Sequence, residues 1–346
     1  MKKNVSLILS ISFLLLIGLK SAWSQNGKIS GYFIGDYYYV AQSHDEALKN
    51  RNGFQYRRIY FQYDKDLADE FAIRLRLEMN SSSFPEEKVK LEPFVKHGYL
   101  KWTKRDWRTN AYFGLSGTPT WEVIEKVWGY RSVAKTLLDM QKMGGSTDFG
   151  IAIQGAIDPG KKLNYHFMLG NGAGTSAEID EDKKLYLSLT AKPADGITVE
   201  IYGDYENREE SKDIYTVQGF AAYQQDKFRV GAQFVRQTRQ QGPKKEDKNL
   251  EGFSLFGAAE VVEKRAWALA RVDHLFDPSP GGAKIAYTPL DGKANPTMIL
   301  VGLDWTPVKD MHIIPNLFLA FYETPEGKSK APDTDIMPRL TLYYKF

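Results

Sequence analysis

The segment "FAIRLRLEM", residues Phe71–Met79, shows most clearly how this chain folds. Every second residue is apolar, and the residues between them include Arg74, Arg76 and Glu78. Strict alternation predicts a β-strand with one apolar face and one charged face. In a bilayer the charged face must point inward, because an arginine that faces lipid costs about 2–4 kcal/mol near the midplane. The stretch therefore fits either a soluble sheet or the wall of a membrane barrel.

The same alternation recurs along most of the chain. We predict sixteen strands, at roughly residues 28–39, 53–63, 71–80, 94–102, 109–116, 148–157, 163–170, 184–191, 197–205, 213–223, 228–237, 250–261, 265–275, 298–305, 311–322 and 337–346. The thirteenth strand is irregular, because apolar Trp267 and Leu269 share a face with charged Arg271. We expect a β-bulge in that strand.

The connectors between these strands alternate between short and long. Those after even-numbered strands, such as "DPGKK" and "QQDK", are short, whereas those after odd-numbered strands, such as "TRQQGPKKEDKN", are long. A soluble sandwich or solenoid also alternates its residues, but nothing in it requires every second connector to be short. The pattern is typical of an all-β, transmembrane antiparallel barrel with short periplasmic turns and long external loops.

The last eight residues, "RLTLYYKF" from Arg339 to Phe346, read as a closing strand. Hydrocarbon tolerates no unpaired strand edge, so we expect this strand to pair with the first one. Leu342, Tyr344 and Phe346 share its apolar face. This ending resembles the C-terminal signal that outer-membrane proteins present to the barrel assembly machinery, and we expect these three residues to serve as that signal.

The first residues have the layout of a secretory signal peptide. Lys2 and Lys3 precede an apolar run from Val5 to Leu19, and Ala22 and Ser24 are small residues suited to a cleavage site. An uncleaved anchor would need about 20 apolar residues, and this run has 15. We therefore predict a signal peptide at residues 1–24, a single barrel at residues 25–346, and export to the outer membrane of a Gram-negative bacterium.

The composition excludes several function classes. Three of the 46 basic residues lie in the predicted signal peptide, which leaves 43 basic residues against 43 acidic ones. Without a basic excess, we expect no nucleic-acid partner. The chain has no cysteine, and it contains no metalloprotease, nucleophile-elbow or phosphate-loop motif. We therefore predict no cofactor, no metal and no enzymatic activity. Asp273 and His274 are a suggestive pair, but neighbours on a strand point to opposite faces.

Several stretches resemble the phosphate-selective porin O and P family. "NGFQYRRIYFQYDKDLADEFAIRLRLEMN" is similar to an early hairpin of that family, with Asn52, Gly53 and Phe54 followed by the pair Arg57 and Arg58. "AYFGLSGTPTWEVIEKVWGYRS" is similar to its fifth strand and following loop, and "ARVDHLFDP" to a late strand with an arginine and an aspartate. The resemblance implies a porin of 16 strands that assembles as a homotrimer.

The third long connector, Ser116 to Thr147, carries unusual apolar surface for a loop. Its segment "RSVAKTLLDMQKM" has apolar residues at helical spacing, which would place Arg131 and Lys135 on one helical face. We expect the loop to fold into the lumen and form the constriction of a pore. The residues expected there are Trp121, Lys126, Arg131, Lys135 and Lys142. An external cap or a trimer contact is the alternative.

Strand parity predicts which charged side chains face the lumen. These are Arg58, Arg74, Arg76, Glu78, Arg229, Arg271 and Asp273. They are either groups that select ions or a salt-bridge lattice that stiffens the wall. We predict a water-filled channel in contact with outer-membrane lipid, through which small hydrophilic solutes or ions diffuse passively, with a modest anion preference. A non-conducting structural or adhesin-like barrel and a barrel-embedded hydrolase are the alternatives.

Overall fold

The computed structural model describes residues 27–81, 90–285 and 288–346. The predicted signal peptide, residues 1–24, lies outside these residues. Within them the chain forms sixteen strands: β1 Gly27–Tyr39, β2 Asn52–Ala68, β3 Phe71–Met79, β4 Phe94–Lys104, β5 Thr109–Gly117, β6 Thr147–Ala156, β7 Leu163–Gly170, β8 Lys183–Ala191, β9 Ile197–Asn207, β10 Ile214–Gln225, β11 Phe228–Arg239, β12 Lys248–Val262, β13 Ala266–Leu275, β14 Pro296–Val308, β15 Met311–Tyr322 and β16 Asp335–Lys345.

Each strand pairs antiparallel with its neighbours in sequence, and β16 pairs with β1, so the sheet closes into a barrel. No helix in the described ranges is long and apolar enough to span a membrane. The connectors after even-numbered strands have two to six residues, and those after odd-numbered strands have six to 29. The predicted alternation of short turns and long loops is confirmed.

The outer surface of the barrel is apolar. On β8, for example, Leu185, Leu187 and Leu189 are exposed, whereas Tyr186 and Ser188 point inward and are buried. Exposed apolar side chains of the other strands continue this surface around the barrel. Such a surface suits hydrocarbon, and the predicted transmembrane barrel is confirmed.

The barrel closes through the C-terminal residue. The backbone N–H of Gly31 donates to the carbonyl of Phe346 at 3.0 Å, and the N–H of Phe346 donates back at 3.1 Å. Gly31 has no space for a side chain, because an added Cβ would lie 2.2 Å from the carbonyl oxygen of Tyr60 and 2.5 Å from the Phe346 ring. The predicted pairing of first and last strands is therefore present, with a glycine under the terminal ring.

The bulge predicted in the thirteenth strand is wrong. β13 pairs without interruption with β14 from Ala266 to His274. The register shift lies on β12, between Glu260 and Val262. Leu269 points inward because the barrel interior next to β13 is apolar, and Leu269 packs there in the same cluster as apolar side chains of the loop between β5 and β6.

Two other bulges place consecutive basic residues inside the barrel. Between β1 and β2, Arg58 pairs with Ile34 and Tyr56 with Gly35, so Arg57 is the extra residue. Between β3 and β4, Arg76 pairs with His97 and Leu77 with Val95, so Lys96 is the extra residue. Because a bulge rotates one residue out of alternation, two adjacent side chains can share the inner face.

A hydrophobic core fills one side of the lumen. It is formed by the third loop, residues 118–146, which contains two short helices, α1 Glu122–Trp128 and α2 Leu137–Met140. Five of its apolar side chains have no exposed surface: Ile124, Trp128, Val133, Leu137 and Leu138. They cluster with inward-facing residues of β10–β16, among them Phe220, Leu250, Phe256, Leu269, Leu300 and Phe318. The loop therefore packs inside the barrel against one wall.

Candidate functional site

Helix α1 of the third loop separates the packed side of the lumen from the open side. Ile124 and Trp128 are fully buried on one face, while the side chain of Lys126 on the other face is 71% exposed. The helix ends at Gly129, whose φ of 69° is a left-handed conformation that favours glycine. An added Cβ at Gly129 would also lie 2.8 Å from a nitrogen of Arg229. The amphipathic helix thus presents its charged face to the open lumen.

The predicted helix over "RSVAKTLLDMQKM" is mostly wrong, because only Leu137–Met140 is helical. Wall arginines bind the backbone of the preceding segment instead. Arg57 donates to the carbonyls of Ser132 and Val133 at 2.9 and 3.0 Å, and Arg271 donates to the carbonyl of Lys135 at 2.6 Å. Arginines from distant strands therefore bind carbonyls of a segment that the sequence predicted to be helical.

Arg131 and Lys135 do not form the free basic patch that the sequence predicted. Arg131 pairs with Glu125 at 2.7 Å and with Asp139 at 2.6 Å, and Lys135 pairs with Asp139 at 3.0 Å. Burial opposes ionisation of Asp139, but Lys135, Arg131 and Lys96 outweigh it and hold the pKa of Asp139 well below its usual range. The four loop charges form a compact network in which each base has an acid.

Several of the predicted lumen charges lie behind the third loop. Arg58 pairs with Glu78 at 3.0 Å and Arg271 with Asp273 at 2.6 Å, and all four side chains are buried. Arg229 stacks on Tyr130 and Trp267, with its guanidinium carbon 4.9 and 5.0 Å from the ring centres. These groups connect the wall to the loop and lie away from the open space.

Two basic residues that strand parity does not place in the lumen, Arg57 and Lys96, take part in this packing, and so does Arg339, which strand parity does place there. Arg57 pairs with Asp36 at 3.2 Å, and Lys96 lies 3.5 Å from Glu78. Arg339 donates to the carbonyl of Val133 at 3.4 Å. Arg57 and Lys96 have the wrong parity for the lumen in a regular strand. The only sequence signal for them is the adjacent base that follows each one.

The central part of the open space lies between the third loop and strands β3–β7, and toward the short turns the space also reaches β8–β10. A central cavity of about 410 Å³ is lined by Arg74, Arg76, Trp121 and Arg131, among others. A second cavity of about 630 Å³, the turn-side vestibule, lies toward the short turns. Four side chains line both cavities: Glu122, Lys126, Gln154 and His166. These four residues, here called the neck, mark where the two cavities adjoin.

The neck is built from the exposed face of α1 and from two wall strands. Glu122 accepts from Lys126 at 2.8 Å and lies 3.5 Å from Nδ1 of His166. Burial tends to raise the pKa of Glu122, but His166 and Lys126 prevail and lower it to about 2. Gln154 on β6 donates to the hydroxyl of Tyr112 at 2.8 Å. The neck therefore combines an acid that is ionised at neutral pH with Lys126, His166 and the amide of Gln154.

Basic residues outnumber acidic ones in the open spaces. The vestibule is lined by one acid, Glu122, and by the bases Lys104, Arg105, Arg108, Lys126, Lys161 and Lys192. A pocket of about 540 Å³ on the side of the long loops is lined by Asp139, Glu206, Lys142, Lys184, Arg208, Lys212, Arg239 and Lys245. Some of these bases are paired with acids: Lys104, Lys126, Lys184, Arg208 and Lys212. The others form no ion pair among the described residues, and they give both ends of the space along the third loop a positive bias: Arg105, Arg108, Lys161 and Lys192 in the vestibule, and Lys142, Arg239 and Lys245 in the loop-side pocket.

The described side chains give no support to a catalytic site on β13. Asp273 points inward and holds Arg271, whereas His274 lies 2.9 Å from the hydroxyl of Thr297. Within the ranges that the structure describes, no group of three His, Cys, Asp or Glu residues is placed to hold a metal ion.

The fold has counterparts among solved structures. An anion-selective porin from Comamonas acidovorans gives a TM-score of 0.67 at 11% identity, covering 92% of this chain and 99% of that chain. The outer membrane channel DcaP of Acinetobacter baumannii gives 0.59 at 12% identity, covering 92% and 97%. A trimer form of the outer membrane protein OmpT of Vibrio cholerae gives 0.59 at 10% identity, covering 92% and 99%.

At such low identity the likeness establishes the porin-type barrel fold alone. No protein-family model matches the chain, and no curated protein sequence matches it. The resemblance to the phosphate-selective porin O and P family therefore stays a prediction, while the sixteen-stranded architecture that it implied is present.

Proposed function

We propose that this protein is an outer-membrane channel through which small hydrophilic solutes and ions diffuse passively. The observation that carries the proposal is the open space along the third loop, where two cavities meet at a polar neck. The loop fills one side of the barrel with packed apolar side chains, and the other side keeps a polar lining. A closed barrel with an apolar exterior and a polar passage is the architecture of a diffusion channel.

A modest anion preference accompanies this function. The charges that support it differ from the patch first predicted, since Arg131 and Lys135 are neutralised by Glu125 and Asp139. The excess of lysine and arginine around the vestibule and around the loop-side pocket supports it instead. Fixed positive charge in a narrow passage attracts anions, and salt screens the effect. The similar structure from Comamonas acidovorans is described as an anion-selective porin.

The proposed channel function also bears on the membrane environment, export, assembly and oligomeric state of the protein. The apolar exterior suits outer-membrane lipid, and the predicted signal peptide at residues 1–24 would direct export. Leu342, Tyr344 and Phe346 are proposed as the signal for the barrel assembly machinery. A homotrimer is proposed because the family resemblance implies one and because one similar structure is described as a trimer.

Planar-bilayer recording of the purified protein tests the function. We expect stepwise single-channel currents, and in a tenfold KCl gradient a reversal potential of anion-selective sign. Neutralising Lys161 and Lys192 in the vestibule should move that potential toward zero, because both line the passage. Neutralising Lys244 and Lys264, which line none of the three cavities, is the matched control. Folded protein without currents would instead support the non-conducting structural barrel.

A further inference from the structure

Arg76 differs from the other arginines of the central cavity in what surrounds it. Arg131 is held by acids of the third loop. Arg74 is held in a fork by Asp64, which accepts from its Nε at 2.6 Å and from its Nη2 at 3.2 Å. In the part of the chain that the structure describes, no carboxylate lies within ion-pair distance of Arg76. Among the described residues, its charge therefore has no direct acidic partner.

Neutral groups hold the Arg76 side chain in place. Its Nε donates to Oε1 of Gln62 at 2.6 Å, and Gln62 donates in turn to Asp64 at 2.5 Å. The guanidinium carbon lies 4.8 Å from the centre of the Tyr60 ring. Asp64 thus serves Arg74 directly and Arg76 through Gln62. The cavity lining has an excess of positive charge, with Arg74, Arg76, Lys126 and Arg131 against Glu122 and Glu125.

Aromatic rings line the same cavity. Tyr99 and Tyr112 meet edge to face with their centres 5.2 Å apart, and Trp121 lies on the opposite side, on the third loop. The Arg131 guanidinium covers Trp121 at 4.6 Å. The cavity volume of about 410 Å³ is larger than a halide or acetate ion requires. Flat apolar surfaces here lie beside Arg76, which has no acid partner in the described part of the chain.

We propose that Arg76, Tyr99, Tyr112 and Trp121 form a binding subsite for planar organic anions, in which a carboxylate is joined to a flat apolar ring. The proposal rests on the proposed channel function, because it names a class of solute for that passage. A guanidinium binds a carboxylate through parallel hydrogen bonds. Aromatic side chains contact a flat ring face to face or edge to face. Inorganic phosphate and acetate supply the charge without the ring.

Calorimetric titration of the purified, detergent-solubilised protein tests the subsite, with sodium benzoate, acetate and phosphate as probes. We expect benzoate to bind at least tenfold more tightly than acetate or phosphate. Arg76→Gln should weaken benzoate binding about tenfold, as expected for the loss of one charged hydrogen-bonding partner. Trp121→Leu should weaken benzoate binding and leave acetate unchanged. Arg236→Gln is the control, since Arg236 is exposed on β11 and lines none of the described cavities.

Arg76→Lys keeps the charge and removes the fork, so it should weaken benzoate binding less than Arg76→Gln does. It also provides a folded comparison if the glutamine variant fails to assemble. Equal benzoate affinity in wild type and both Arg76 variants would overturn the proposal, as would equal affinity for benzoate and acetate in the wild type.

Bilayer recording separates this proposal from the channel function. Protein that conducts chloride, with currents that benzoate interrupts no more than acetate does, would refute the subsite and leave the channel intact. Protein that binds benzoate through Arg76 without conducting would refute the channel and leave the subsite.

Discussion

Replacing Trp128 with alanine should release the third loop from the barrel wall. The indole has no exposed surface and packs on Phe256 and Tyr130 with centre distances of 5.2 and 5.6 Å. Its Nε1 donates to the carbonyl of Ala134 at 2.9 Å, and the Arg271 guanidinium lies 5.5 Å from the ring centre. Burial of about 150–250 Å² at about 25 cal/mol per Å² corresponds to about 4–6 kcal/mol.

Measured tryptophan-to-alanine replacements in cores cost about 3–5 kcal/mol, so we take about 4 kcal/mol for the loss at Trp128. That change raises the undocked fraction of the loop about a thousandfold relative to the docked fraction. The sixteen strands keep their pairing, because none of their ladder hydrogen bonds involves this side chain. We therefore expect a folded barrel with a loosened third loop.

Two assays check this expectation. Protease added from the side of the long loops should cut between residues 118 and 146 faster in Trp128→Ala than in wild type, and single-channel currents should become larger and noisier. Trp305→Ala is the matched control, because that indole lies on the outer face of β14 and is about half exposed. Equal cleavage and unchanged currents in Trp128→Ala would refute the claim that apolar packing holds the loop.

Two further predictions concern the first loop and the barrel closure. Burial lowers the pKa of His44, but the hydrogen bond to Asp335 at 2.9 Å and the charge of that carboxylate prevail and raise the pKa. Protonated His44 therefore stabilises the first loop (residues 40–51). This stabilisation is complete below pH 6.5 and is lost as the pH rises through the raised pKa. Proteolysis of that loop should accelerate across this range in wild type but not in His44→Ala, and a wild-type rate independent of pH would contradict the assignment. Deleting Phe346 should lower the yield of folded barrel in outer-membrane fractions. Gly31→Ala should instead slow folding, because the added methyl group blocks closure of the barrel while the C-terminal signal stays intact. An unchanged amount of heat-modifiable protein after the deletion would rule out Phe346 as an assembly signal.

The wall of the barrel was predictable from sequence because its determinants are local. Alternation sets the two faces of each strand, and the cost of a charge in hydrocarbon decides which face points inward. The alternation predicts that Arg74 and Arg76 face the lumen, and both line the central cavity, since β3 is regular through both residues. The alternation of connector lengths supplied the strand order without any tertiary information.

The contents of the lumen were not predictable in the same way. Helical spacing in residues 131–143 suggested a helix, but Arg57 and Arg271 bind carbonyls of that segment from strands far away in sequence. The inward position of Arg57 depends on a bulge, which the register of two paired strands creates. Leu269 suggested an irregular strand because a polar lumen was assumed, whereas this lumen is apolar where the third loop packs. Each of these features depends on contacts between distant segments.

In the proposed channel, solutes pass between the third loop and strands β3–β7, and a single introduced thiol can show whether they do. The chain contains no cysteine, so a substituted one is the sole target for a thiol reagent. Gln154→Cys places the thiol in the neck, and Gln233→Cys places it on β11, where the side chain is 1% exposed. We predict that a bulky methanethiosulfonate reagent reduces the single-channel current of Gln154→Cys and leaves that of Gln233→Cys unchanged. Undiminished current in Gln154→Cys after confirmed modification would contradict the claim and place the passage elsewhere.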